Sequence, residues 1–113
     1  MTKQCTSDSC AALSASEQDK LTESEFAAMA KALSHPARVR IVKLLLDLDK
    51  RGGCLNSDLV SQLGLAQSTV SEHLRILKQA EFITAEPNPP KVCYRVNRER
   101  LAKFGLDFES LFS

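Results

Sequence analysis

The fold turns on residues 64–77, Gly64-Leu65-Ala66-Gln67-Ser68-Thr69-Val70-Ser71-Glu72-His73-Leu74-Arg75-Ile76-Leu77. Val70, Leu74 and Leu77 recur at i, i+4 and i+7, the spacing that lines one face of an α-helix. Ser68 is a residue type that caps a helix start. Just upstream, Ser57 offers a second cap, Leu59, Val60 and Leu63 follow it, and Gly64 supplies the left-handed residue that ends a helix. Two short helices joined by a tight turn containing Gly make a helix-turn-helix.

Working outward toward the N-terminus, Phe26, Met29, Ala30 and Leu33 keep a helical period. Thr22, with Glu25 three positions on, forms a capping box that predicts the start of that helix. Pro36 separates it from a second helix carrying Val39, Ile41, Val42, Leu44, Leu45, Leu46 and Leu48. This helix is apolar almost all round and is expected at the buried centre, stopped by Gly52-Gly53. Toward the C-terminus, residues 82–86 and 92–96 read as two strands about Pro87-Asn88-Pro89-Pro90. Prolines do not sit in a central strand, so this is an exposed hairpin with a rigid tip. The last stretch places Leu101, Phe104, Phe108, Leu111 and Phe112 on one stripe of a terminal helix, a face that calls for a partner subunit. The predicted fold is mainly α with a small β-hairpin wing: a winged helix-turn-helix, dimeric through its terminal helices.

Residues 1–20 are polar, rich in Ser and Thr, and carry Cys5 and Cys10. They read as a flexible cysteine-bearing tail, and residues 21–113 as one DNA-binding and dimerisation domain. A chain of 113 residues with 43% hydrophobic and 26% charged residues fits one domain with a core of its own. The net charge of +1 makes it no polycation, so any grip on nucleic acid must come from local charge. No apolar run is long enough to span a membrane, no secretory signal pattern opens the chain, and the expected location is the cytoplasm. There is no Trp and one Tyr, which argues against an aromatic-lined pocket. No nucleophile–base spacing, phosphate loop or paired-His motif points to an enzyme.

The exposed side of the second short helix presents Gln67, Ser68, Thr69, Ser71, Glu72, His73 and Arg75. Small hydroxyl and amide side chains near a helix N-terminus reach base edges, while the positive end of the helix faces phosphates. Gln reads adenine, Ser and Thr read either partner, and Arg prefers guanine or phosphate. Lys91, Arg95 and Arg98 add expected phosphate contacts from the hairpin. The candidate DNA-binding set is therefore Gln67, Ser68, Thr69, Ser71, His73, Arg75, Lys91, Arg95 and Arg98. Glu72 opposes a close phosphate approach; it either selects cytosine or pairs with Arg75 or Arg38.

Two segments carry a resemblance. Ala32-Leu33-Ser34-His35-Pro36-Ala37-Arg38-Val39-Arg40-Ile41 resembles a signature of the ArsR/SmtB family of metal-responsive repressors, and residues 64–77 are similar to that family's recognition segment. The resemblance covers about residues 21–112. It implies a homodimer that binds an operator, an imperfect inverted repeat of double-stranded DNA, and lets go when an effector binds.

The family's effector sites are then checked against this chain. A zinc site on the terminal helix needs His and carboxylate ligands, and that helix has no His, only Glu99, Asp107 and Glu109. A Cys-x-Cys pair at the start of the helix-turn-helix is incomplete, since residues 54–59 hold only Cys54. A third arrangement, known among arsenic repressors of the family, joins two tail cysteines to one near that start. The resemblance thus implies Cys5, Cys10 and Cys54 as metal ligands, with trivalent arsenic or antimony as effector and no constitutive cofactor; three thiolates suit such a soft ion. The tail cysteines are five positions apart here, where the family pattern has them adjacent. The alternative is a redox- or sulfide-responsive thiol switch on the same fold, with Cys5 and Cys10 closing a disulfide or persulfide. Cys93, mid-strand between Val92 and Tyr94, reads as core packing. His35 before Pro36 reads as a turn or cap residue.

Overall fold

A computed structural model of the chain describes residues 13–56 and 63–113. Its elements are α1 (Glu17–Ala32), α2 (Pro36–Lys50), β1 (Leu55–Asn56), α3 (Gln67–Gln79), β2 (Ile83–Asn88), β3 (Lys91–Val96) and α4 (Arg98–Phe112). The tail cysteines Cys5 and Cys10, and the first short helix expected from Ser57 onward, fall mostly or wholly outside the described residues.

The first helix starts earlier than the Thr22 box predicts. Ser16 is the cap: its hydroxyl accepts from the Asp19 amide, and the Asp19 carboxylate accepts from the Ser16 amide. Both boxes obey the same rule, and the upstream one adds helical hydrogen bonds that the downstream one forgoes. Thr22 sits inside the helix with its hydroxyl donating to the Gln18 carbonyl. The helical domain therefore reaches back across the boundary expected at residue 21.

α2 begins as its sequence dictates. His35 Nδ1 accepts from the Ala37 amide at 3.0 Å, and Pro36 occupies the first turn, where its missing N–H costs nothing. The helix ends in a Schellman turn: Gly52 takes φ +74°, its amide donates to the Asp49 carbonyl, and the Gly53 amide donates to the Leu48 carbonyl. That turn delivers the chain into β1. A two-residue strand has no readable period, and none is expected from the sequence.

α3 starts at Gln67 with Ala66 as its N-cap, so Ser68 lies within the first turn and does not cap it. α3 ends in a second Schellman turn, where Glu81 carries φ +68° and the Phe82 amide donates to the Leu77 carbonyl. The three-stranded antiparallel sheet has the order β1-β3-β2, with Ile83 opposite Val96 and Asn88 opposite Lys91. β2 is an edge strand, which is where Pro87 is tolerated. The strands run further toward the tip than expected, leaving Pro89-Pro90 as the loop, with a cis bond between them.

The core gathers Met29, Ile41, Leu45, Leu55, Val70, Leu77, Phe82 and Ile83, all fully buried. Val96 of β3 joins them, and Leu101 and Phe104 of α4 pack against the cluster. α4 also packs on α1: Phe104 stacks on Phe26 with centroids 4.8 Å apart, and Phe112 meets Phe26 edge-on at 5.9 Å. Beside this aromatic seam Lys103 bonds Asp107 at 3.0 Å and Glu25 at 3.1 Å. The bonds to Asp107 and then Glu25 raise its pKa.

Candidate nucleic-acid interface and a cysteine pair

The mainly helical chain with its small hairpin is a winged helix-turn-helix. Gln67, Ser68, Thr69, Ser71 and Arg75 are exposed along α3. Gln67 and Ser71 line one groove with Pro90, Lys91 and Val92 of the hairpin tip, so the helix start and the wing present a continuous surface. Ala66, the N-cap of α3, makes no side-chain bond to the helix's first amides, and a helix N-terminus favours an anionic group such as a phosphate.

His73 does not belong to that surface. It is only 6% exposed and lies on the core side of α3. Arg38 Nη1 donates to His73 Nδ1 at 3.1 Å, and Arg38 Nε donates to the Ala32 carbonyl at 2.7 Å. One guanidinium thus ties the end of α1, the start of α2 and the middle of α3. Since a guanidinium only donates, Nδ1 must carry a lone pair, and His73 is neutral with its proton on Nε2. The ring packs 4.6 Å from that of His35. Burial, then the charges of His35 and Arg38, hold its pKa below the ordinary imidazole value, with Glu72 pulling the other way. Expecting His73 at the DNA face overlooked its position: 70, 73, 74 and 77 form one i, i+3, i+4, i+7 stripe, and His73 completes the buried face.

Glu72 resolves to the Arg75 pairing. Arg75 Nε donates to Glu72 Oε2 at 3.0 Å, and a second, shorter contact joins the same two groups. The Arg75 hydrogen bond lowers the Glu72 pKa, and Glu72 raises that of Arg75. The wing cations are less uniform than expected. Arg95 faces Glu86 at 3.3 Å and donates to the Gly53 carbonyl at 3.3 Å. Arg98, at the start of α4, is paired with Asp49 at the end of α2. Of the three, only Lys91 stands at the tip beside α3.

Cys54 has a partner the sequence did not suggest. It forms a disulfide with Cys93, the two Cα atoms 5.7 Å apart and 39 positions apart in sequence. Asn56 pairs with Cys93 and Leu55 with Tyr94 across the β1–β3 ladder. Alternation then puts Cys93 on the face of Arg95 and Glu86, opposite the core face of Tyr94 and Val96. Cys93 is buried, 5% exposed, as the core-packing reading expects, while its sulfur is bonded to Cys54 on the sheet face away from the main apolar cluster. Of the expected metal set Cys5, Cys10 and Cys54, only Cys54 lies among the described residues, and there its sulfur is bonded to Cys93. Among the described residues no group of three or more His, Cys, Asp or Glu is placed to hold a metal, and no helix is long and apolar enough to cross a membrane.

Comparison with known proteins agrees with the geometry. Residues 35–85, which include α2, α3 and the start of β2, match a family model described as bacterial regulatory protein, arsR family. The chain is 34% identical over 84 residues to the HTH-type transcriptional regulator CmtR of Mycobacterium tuberculosis, covering 74% of this chain and 68% of that one. It is 39% identical over 77 residues to the HTH-type transcriptional repressor SmtB of the same species, covering 68% and 54%. In structure it resembles an ArsR-like transcriptional regulator from Rhodococcus, with a TM-score of 0.65 at 22% identity over 80% of this chain and 81% of the other. It also resembles a homodimeric winged helix-turn-helix DNA-binding domain from Mycobacterium bovis, with a TM-score of 0.66 at 22% identity over 82% and 83%.

Proposed function

The chain belongs to the arsR family of bacterial regulatory proteins, a DNA-binding transcriptional regulator, and from that premise we propose that it is a homodimeric repressor released from its operator by trivalent arsenic or antimony. The observation that carries the DNA half is the surface shared by the start of α3 and the wing tip, with Gln67 and Ser71 beside Pro90 and Lys91. A recognition helix in the major groove flanked by a cation over the backbone is the way this fold reads a duplex. The two-fold axis of a homodimer makes the operator an imperfect inverted repeat. Such DNA lies in the reducing cytoplasm, where thiols are the available form of cysteine.

The effector half rests on Cys54. It stands between the Schellman turn that ends α2 and the strand that leads into the helix-turn-helix. Cys5, Cys10 and a reduced Cys54 supply three thiolates, the donor set that a soft trivalent ion prefers. Drawing Cys54 toward the tail tilts the reading helices relative to α2 and misplaces both recognition helices at once. A coupling of about 1–3 kcal/mol lowers operator affinity roughly 5- to 150-fold.

The test is operator binding to the chain's own upstream DNA, followed by fluorescence anisotropy under full reduction by a phosphine. Arsenite is expected to release the wild type and to leave Cys5→Ser and Cys54→Ser bound. Release of Cys54→Ser at the same arsenite concentration as the wild type would remove Cys54 from the ligand set. Failure of the wild type to respond at all would remove the effector.

A further inference from the structure

We propose that Cys54 and Cys93 form a thiol–disulfide exchange site for low-molecular-weight disulfides, whose oxidation state decides whether Cys54 is available to a thiophilic effector. The second half rests on the effector reading above; the first half stands on the geometry alone.

The geometry is that of a pair held together whether or not its sulfurs are bonded. The Cα separation of 5.7 Å falls within the ~4.4–6.8 Å that a disulfide bridges without moving the backbone. Four features independent of the sulfurs keep that separation. Leu55, next to Cys54, is fully buried, and β1 pairs with β3 immediately beside the bridge, Leu55 opposite Tyr94 and Asn56 opposite Cys93. The Gly53 amide is fixed to the Leu48 carbonyl at 2.8 Å. The Gly53 carbonyl accepts from Arg95, two residues along β3 from Cys93. Reduction therefore frees two thiols without separating them, which is what a reversible couple requires. Arg95 also brings a cation to the residue preceding Cys54, and a nearby cation favours the reactive thiolate.

The two cysteines have different access, which orders the reaction. Cys54 is half-buried and Cys93 buried, so the Cys54 thiolate attacks the incoming disulfide and expels one small thiolate. The Cys93 thiolate then attacks the Cys54 sulfur of the mixed disulfide and expels the second. Two protein thiols and one small disulfide give one protein disulfide and two small thiols. Two electrons pass to the small disulfide, and the two protons end on the released thiols. In the oxidised form Cys54 has no lone thiolate to offer a soft ion. In the reduced form it does.

The full-length chain is equilibrated with mixtures of reduced and oxidised glutathione, acid-quenched, blocked with an alkylating agent and mapped by peptide mass spectrometry. The expected product is a Cys54–Cys93 linked peptide that appears and disappears in a single reversible two-electron transition. Cys54 and Cys93 that accumulate separate glutathione adducts without linking would overturn the proposal. Arsenite release from operator DNA is then measured on oxidised and phosphine-reduced protein. Reduced wild type is expected to respond and oxidised wild type to need at least roughly ten-fold more arsenite, while oxidised Cys93→Ser, lacking the resolving thiol, is expected to carry one glutathione on Cys54 in place of the linked peptide. If wild type with Cys54 and Cys93 linked responds at the same arsenite concentration as the reduced protein, the bridge does not gate Cys54 and the proposal is overturned. If reduced wild type never responds while the linked peptide still cycles, the effector reading fails and the exchange site stands.

Discussion

Single side chains decide more here than their solvent exposure suggests. His73 accepts from Arg38 only while Nδ1 is unprotonated. Its folded pKa is depressed, chiefly by burial, so the unfolded chain takes up the proton first as pH falls. The stability tied to this group is thus complete above the unfolded imidazole pKa of ~6.5 and is lost as pH drops through the folded value below it. Thermal melts from about pH 7.5 down to about 5 should show the wild type losing stability that a His73→Gln variant does not lose, because the Gln carbonyl accepts from Arg38 at any pH. Parallel curves would mean that protonation leaves the Arg38 tie intact. Glu81 is the opposite case, an exposed residue in a conformation that costs it. At φ +68° a side chain meets the left-handed penalty of ~1–2 kcal/mol, which Gly avoids. Glu81→Gly should gain about 0.5–1 kcal/mol in urea unfolding, after the loss of its long 3.9 Å contact to Arg100 and the added freedom of the unfolded chain. A loss of stability would show that this contact outweighs the backbone.

At the scale of elements, legibility follows the range of the interaction that makes each one. α2 and α3 were readable because their apolar periods are local, and the Pro36 and Gly52 boundaries are dictated by backbone chemistry. The start of α1 was misread because Ser16–Asp19 and Thr22–Glu25 are equivalent local signals, and only the extra turns of helix distinguish them. β1 was invisible because two residues carry no period; it exists because β3 offers an edge. The cysteine pair was missed for the same reason, since its members are 39 positions apart and meet only through that pairing. The exposed side of α3 was legible, except that His73 was taken off the buried stripe it completes. The wing was legible as a hairpin but not in its charge arrangement, because the Arg95–Glu86 and Arg98–Asp49 partners come from cross-strand register and tertiary packing. That arrangement separates the cations in a salt titration of operator affinity. Lys91→Ala should reduce the slope of log affinity against log salt by about one phosphate's worth, and Arg95→Ala by less, because Lys91 stands at the wing tip beside α3 while Arg95 lies nearer the wing's base, opposite Thr84. Ser71→Ala should change sequence preference and leave the slope unaltered. A larger slope change for Arg95→Ala than for Lys91→Ala would move the phosphate contact from the wing tip to its base.

The whole molecule is shaped by what α4 leaves uncovered. Phe26 and Phe104 close the α1–α4 seam, yet Phe108 remains 55% exposed and Phe112 67% exposed although both rings touch Phe26 or each other. Phe104, Phe108 and Phe112 follow one another at four-residue steps, so they lie along a single ridge of the helix. An apolar ridge flanked by the Lys103, Glu25 and Asp107 charges has the pattern of an interface with an apolar centre and a polar rim. In the homodimer proposed above, a second copy would supply a matching ridge by symmetry, with the two α3 helices reaching successive major grooves. Burying a Phe side chain contributes about 1.5–3 kcal/mol, so removing two from each subunit's share of the interface should weaken dimerisation by far more than a hundred-fold. Sedimentation at micromolar concentration should give the wild type roughly twice the 12.5 kDa chain mass and the Phe108→Ala/Phe112→Ala variant one chain mass. Circular dichroism of the variant keeps the result interpretable, because Phe26, Phe104 and Phe82 still hold α4 to the domain and the helical signal should persist. The variant should then bind a half-site and the full inverted repeat with nearly equal affinity per half-site, whereas the wild type should gain strongly from the second. A wild type that sediments as a monomer, or a folded variant that remains a dimer, would place the symmetry axis on another face and with it a different spacing between the half-sites.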